Sequence, residues 1–252
     1  GITRLLALFK DVKVEKIGPV RSSRHYYLDY ALENDAIYVH FGWSPQAESD
    51  ISTLGVNNIN GLYDEAFWRE KGLNVAYEHT AYTSMENIKK IANKKKYSLK
   101  STKDLLLNYS EEDLDLSDKE DSKVANAVNI KYSNSVITNY VYNSEDKLYY
   151  RSVNDKAHKD YETKKQYTTK NIIIAYASNG HISNDSKGRQ ELNNIGSGNG
   201  YYITNGVAVP ITWEKSSRKE QTVYKYKNGE EIVVNDGNTY IQIAPPNSAT
   251  IK

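Results

Sequence analysis

Arg21 and Arg24 stand three residues apart in the stretch IGPVRSSRHYYLDY, immediately before a segment with helical spacing of Tyr27, Leu28, Ala31 and Leu32. The first backbone N–H groups of a helix lack intrahelical acceptors, so two guanidinium groups beside them favour a phosphate or carboxylate. Ser22 or Ser23 is the expected N-cap. Arg4, in the opening apolar run, is expected to converge on the same place, with His40, Ser44, Gln46 and Thr83 lining it. The competing reading pairs the arginines internally with Asp29, Asp35 or other carboxylates.

Other patterns carry less chemistry. GWSPQ follows the apolar strand AIYVHF in the manner of a nucleophile elbow, but Gln46 replaces the final glycine and Pro45 has no N–H to give an oxyanion. Ser44 is therefore read as a helix N-cap with Pro45 at the first helical position. The five histidines, His25, His40, His79, His158 and His181, show no metal-ligand spacing. His40 lies inside an apolar strand, and His158 with Asp160 in HKD has the spacing of a proton-transfer pair. Asp113, Asp115 and Asp118 lack the glycine and glutamate of a calcium loop. GSGNG, Gly196–Gly200, is followed by strand pattern rather than a helix, and reads as a flexible hairpin connection. No metal and no cofactor is called for.

The elements that must hold these residues divide the chain. Residues 1–107 mix patterns. ITRLLALF reads as a strand, KDVKVEK as a turn-rich connection, and helices are expected over about 23–32, after Ser44, and over about 84–95. Residues 108–123, with YSEEDLDLSDKEDS, read as an acidic linker or loop. Residues 124–252 carry short strands such as AVNIKYS, VITNYVYN, KLYYRSV, NIIIAYAS and VAVPITWEK, with Asn228-Gly229 and Asp236-Gly237 as turns. The expected fold class is α+β: an N-terminal mixed α/β domain followed by a mainly antiparallel β domain.

Composition narrows the partners. The 252 residues hold 33 Lys and Arg against 32 Asp and Glu, a net charge of +1 that gives no global field toward nucleic acid or anionic lipid, so any charge-driven binding must be local. No stretch is long and apolar enough to span a bilayer. With no cysteine, disulfides and thiolate chemistry are excluded. Tyrosine numbers 22 against 3 phenylalanines, which suits half-buried sheet faces that prefer a ring with a polar tip, or platforms for sugar rings. The chain opens at Gly1 inside an apolar run, as a processed fragment would.

At Gly1-Ile2-Thr3-Arg4, Gly18-Pro19-Val20-Arg21-Ser22 with Arg24, and His40 with Gly42 and Ser44-Pro45-Gln46, the chain resembles the YerB-like lipoproteins, a bacterial envelope family without an assigned biochemical function. Tyr82-Thr83-Ser84, Tyr150-Arg151, His158 with Asp160 and Thr163, Asn171, and Trp213 with Lys215 extend the resemblance over nearly the whole length. Trp43 and Thr80 depart from the pattern. The resemblance implies two domains and an extracytoplasmic location. It also implies a membrane anchor on a lipidated cysteine outside this fragment, and an N-terminal strand segment of the first domain preceding Gly1. It adds Arg151, His158, Asp160 and Trp213 as candidates in the second domain. The expected function is binding of an anionic envelope glycan or lipid, with no protein partner identified. The alternatives are an envelope enzyme using His40, His79 or His158 with Asp160, and a scaffold using tyrosine-rich sheets.

Overall fold

The structure is a computed structural model that describes residues 3–10 and 12–252. It divides into two units, one of residues 5–105 with 218–221, the other of residues 1–4, 106–217 and 222–252. The helices are α1 His25–Glu33, α2 Pro45–Leu54 and α3 Met85–Lys94, with a 3-10 turn at Tyr77–His79. The strands of the first unit are β1 Tyr38–His40, β2 Asn58–Asn60, β3 Phe67–Arg69 and β4 Ala81–Thr83. Those of the second are β5 Asn108–Ser110, β6 Lys123–Val124, β7 Ala127–Ser133, β8 Val136–Asn143, β9 Leu148–Val153, β10 Lys156–Ala157, β11 Thr168–Thr169, β12 Asn171–Tyr176, β13 Asn179–His181, β14 Gln190–Leu192, β15 Gly196–Thr204, β16 Val207–Lys215, β17 Val223–Tyr226, β18 Val233–Asn235, β19 Thr239–Ala244 and β20 Ala249–Ile251. The class is α+β, with mainly antiparallel sheets.

In the first unit β1 and β2 run parallel, Tyr38 opposite Asn58, joined through α2 as a βαβ crossover. Residues 17–23 lie between β4 and the end of β1. Ile17 and Val20 bond to Thr83 and Ala81, while Arg21 and Ser23 bond to Phe41 and Gly42. Side chains of β1 alternate, so Tyr38 packs with Leu28, Ala31, Ile51 and Val56 of the α1–α2 layer, and Val39 packs with Ile59, Ile91 and Ala92 of the α3 layer. Helices thus cover both faces of a short parallel ribbon.

The β-rich unit is built on two sheets. One runs β10-β9-β8-β7-β20, with β11 also on β9. The other runs β17-β16-β15-β12-β19, with β6 also on β16. Val128, Ile130, Tyr140 and Tyr149 of the first sheet pack against Ile172, Ile174, Ile203 and Ala208 of the second. The opposite face of the second sheet, with Ile173, Tyr202, Ile211 and Trp213, is covered by Leu107, Leu116, Ile232 and Val234. A strand buried on both faces has no polar alternation, which is why NIIIAY carries three consecutive isoleucines.

Two expectations change here, and a third gains detail. Residues 3–9 form no strand, and Leu5, Leu6, Leu8 and Phe9 are exposed, while Gly1, Ile2 and Asp11 lie outside the described residues. The stretch 108–123, read as an acidic linker or loop, is mostly exposed loop from β5 to β6, and it is tied down. β5 pairs with β18, Leu116 is buried, and Asp113 binds Lys147, Lys170 and Asn205, so acid-to-base bonds supply what its few apolar groups cannot. GSGNG is strand rather than hairpin. A Cβ on Gly200 would meet the Ile174 carbonyl oxygen at 1.8 Å, so glycine permits that close strand approach.

Tyrosine outnumbers phenylalanine because its hydroxyl is used inside the sheets. Tyr202, fully buried, donates to Asn171 Oδ1 at 3.0 Å and accepts from Asn235 N at 3.1 Å. Tyr149 donates to the Ala125 carbonyl and accepts from Gly206 N. Tyr202→Phe leaves two buried polar groups unmatched and is expected to cost about 2 kcal/mol. The exposed Tyr63→Phe change should cost almost nothing, and urea unfolding of the two variants measures the difference.

Candidate functional site

The 21–24 segment and the β1–α2 turn are laid side by side. Ser23 forms a parallel bridge with Trp43, and Ser44 N donates to the Ser23 carbonyl at 3.1 Å. One residue on from each begins the approach to a helix, so α1 and α2 start from neighbouring positions at the carboxyl ends of parallel chain segments. That is where open α/β sheets bind ligands.

The cap of α1 differs from expectation. Arg24 itself is the N-cap residue, in extended conformation, and no side chain accepts from the first turn. Ser23 is fully buried, and its backbone N–H and C=O join the two segments instead. Arg24 Nη1 turns back to the Ser23 carbonyl at 2.8 Å. Arg21 Nη1 lies 2.8 Å from His79 Nδ1, which brings the 3-10 turn against the same segment.

Arg69 escaped sequence reasoning. Its guanidinium carbon lies 4.3 Å from the Phe41 ring centre and 4.1 Å from that of Tyr77, and Nη1 donates to the Tyr77 carbonyl. A cation held between two aromatic faces leaves no sequence signature, since Phe41, Arg69 and Tyr77 are far apart in the chain. Arg69 forms no ion pair among the described residues.

Several expected lining residues are occupied structurally. His40 is buried, with Nδ1 2.8 Å from the Gly42 carbonyl and Nε2 3.2 Å from Asn58 Oδ1. Thr83 is fully buried, and its hydroxyl donates to the Ala66 carbonyl at 2.7 Å. Ser44 Oγ accepts from Ala47 N with Pro45 at the first helical position, which is the N-cap arrangement, and Gly55 closes α2 in the left-handed region at φ 67°. Gln46 is exposed on the first turn of α2. Arg4 belongs to the β-rich unit, so the first unit gathers Arg21, Arg24, His79 and Arg69 without it. Asp29 and Asp35, the anticipated internal partners, are engaged by Arg218 at 2.5 Å and by Thr102 respectively.

In the β-rich unit, Trp213 is core, its indole N–H donating to the Tyr176 carbonyl. His158 and Asp160 form no bonded pair. Asp160 accepts from Thr163 N and Oγ1 and from the Tyr167 hydroxyl, while the His158 ring packs on Tyr167 at 4.7 Å. Arg151 is buried, and its Nη1 donates to His158 Nδ1.

These features define a two-unit α+β protein in whose first unit α1 and α2 start side by side. Residues 1–98 match the N-terminal domain, and residues 128–241 the C-terminal domain, of the protein of unknown function DUF3048. The chain is 32% identical over 249 residues to a Bacillus subtilis (strain 168) protein named "Putative lipoprotein YerB", covering 97% of this chain and 71% of the relative. It superimposes on the crystal structure of YerB from Bacillus subtilis with a TM-score of 0.79 and 30% identity, over 94% of this chain and 78% of that one. The chain belongs to this YerB-like family of unknown function, with both its N-terminal and C-terminal domains.

Two measurements test the local assignments. Ser44→Ala removes the cap of α2 and should lower stability by about 1 kcal/mol. Burial pushes the His40 imidazole pKa down, outweighing its bonds to Gly42 and Asn58 and the field of Asp64, with Lys95 adding to the depression. The unfolded chain therefore takes up the proton first, and this contribution to stability is complete above about pH 6.5 and lost as pH falls below it. Thermal melts across that window should show a smaller slope for His40→Asn than for the parent protein.

Proposed function

We propose that this chain is an extracytoplasmic, membrane-tethered binding module whose first unit holds an anionic group of an envelope glycan or lipid. The observation that supports it is the side-by-side start of α1 and α2, with the N-cap of α1 supplied by Arg24. Two helix N-termini place partial positive charge at one spot, worth about 0.3–1 kcal/mol each toward an anion at an exposed site.

Arg21 adds a guanidinium held against His79, and Arg69 adds another held between Phe41 and Tyr77. Guanidinium forks match the paired oxygens of phosphate and carboxylate. Tyr77 is 70% exposed and offers a ring face beside Arg69 for the neutral part of a glycan. The lipoprotein name of the relative supports the location at the envelope.

The folded protein should be stabilised by inorganic phosphate or sulfate beyond chloride at matched ionic strength, by about 1.4 kcal/mol at ten times Kd. Arg21→Gln combined with Arg24→Gln should remove most of that increment while the fold persists. Equal anion responses in parent and double variant would reject this site. Loss of stability in plain buffer without an anion effect in the parent would show the arginines to be structural.

A further inference from the structure

The β-rich unit buries a guanidinium without an acid. Arg151 is 4% exposed and stands on β9 opposite Tyr140 of β8. Its backbone N–H bonds to Tyr167 and its carbonyl to His158, which fixes both beside it. The Tyr240 ring centre lies 5.6 Å from its guanidinium carbon. Among the described residues no carboxylate forms an ion pair with Arg151, and its Nε has no hydrogen-bond partner. Buried charges are ordinarily paired, because an unmatched one costs several kcal/mol.

The neighbours deepen the imbalance by being donors. The Tyr140 hydroxyl accepts from Gln242 Nε2 at 3.0 Å and from the Arg151 guanidinium, so both its lone pairs are engaged and its own proton is left to give. Gln242 Oε1, the nearby acceptor, is taken by the Tyr132 hydroxyl at 2.8 Å. Thr138, two residues before Tyr140 on the same face of β8 and 1% exposed, has an unpartnered Oγ1. His158 Nδ1 accepts from the guanidinium, so the neutral ring carries its proton on Nε2. Burial, and then the charge of Arg151, lower the imidazole pKa and keep it neutral. The guanidinium thus has neutral partners in His158 and Tyr140 but no carboxylate, its Nε–H is unmatched, and the unpartnered Thr138 hydroxyl lies one strand repeat along from Tyr140.

We propose that the cluster of Arg151, Tyr140 and Thr138 is an oxyanion-binding site of the β-rich unit, bordered by His158 and Tyr167 and taking a carboxylate or phosphate group. An oxyanion offers only acceptors, and it supplies both the missing charge and the missing hydrogen-bond partners. The site is independent of the α1–α2 reading, since none of its residues belongs to the first unit.

The test follows the arginine Nε–H and histidine ring resonances of the whole chain by NMR, in the Arg21→Gln, Arg24→Gln background so that the first unit is silent. Inorganic phosphate and acetate are titrated separately against chloride at matched ionic strength. The Arg151 Nε–H and His158 signals should move saturably with at least one of them, and the arm that saturates identifies the class of anion. Thr138→Val and Tyr140→Phe, which preserve shape, should each weaken binding about tenfold, and Arg151→Met should abolish it. Absence of a saturable shift with either anion overturns the site. So does unchanged affinity in both Thr138→Val and Tyr140→Phe, a result that stands even if Arg151→Met fails to fold.

Discussion

The β-rich unit depends on matching the polar tips that its tyrosines and asparagines carry into the core. Asn171, at the start of β12, donates to the Asn235 carbonyl and accepts from Tyr202. Asn235 donates to Thr204 Oγ1 and accepts from Leu114 N. Four of these residues are at most 1% exposed, so each bond is made where water offers no substitute. The network ties β12, β15 and β18 to the segment after β5, and it fixes strand positions that isoleucine packing alone leaves free to slide. An acidic stretch that would otherwise solvate itself is held to the sheet through Leu114 and Asp113.

In the first unit the corresponding constraint is the backbone between parallel segments. Ser23 contributes its N–H and carbonyl to the chain around Gly42 and Ser44, and its Oγ donates to the Arg24 carbonyl, so it stands one residue before the N-cap of α1 rather than capping it. Arg24 then takes the N-cap position and turns its guanidinium onto the carbonyls of its own loop. Pro45 suits the first position of α2, where its missing N–H removes a donor that had no partner. The result is an α1 start without a side-chain cap beside an α2 start with one. Local chain pairing thus decides which of the two helix starts carries a side-chain cap.

Much of this was legible in the sequence because it was periodic or punctuated. The strands Ala127–Ser133, Val136–Asn143 and Val207–Lys215 occupy the segments that alternation and turn residues marked. Ser44 with Pro45 marked the start of α2, and α3, Met85–Lys94, falls within the helix expected over about 84–95. The opening run 3–9 failed because apolar composition does not supply a neighbouring strand. GSGNG failed because glycine was read for freedom when it serves close approach under Ile174 and Trp213. His40 looked chemical because a histidine in an apolar strand is unusual, yet its partners, Gly42 and Asn58, show it closing a turn. Arg69 and the donors around Arg151 left no local trace, since long-range strand register alone brings their neighbours together.

The contrast between the two ends of the sandwich gives Arg151 its meaning. This chain has 32 acidic residues and uses them readily, as Arg218 with Asp29 and Asp50, and Lys95 with Asp64, demonstrate. Glutamine and asparagine likewise meet tyrosine hydroxyls across the core. A carboxylate at one neighbouring position would neutralise Arg151, and an apolar side chain in its place would remove the cost of burying the charge altogether. The fold instead surrounds it with Tyr140, Thr138 and His158, none of which can offset a positive charge while neutral. Structural economy accounts for the Asn171–Tyr202 end of the unit, where donors and acceptors balance. At the Arg151 end they do not balance within the protein, and an anion from outside is the group whose chemistry completes them.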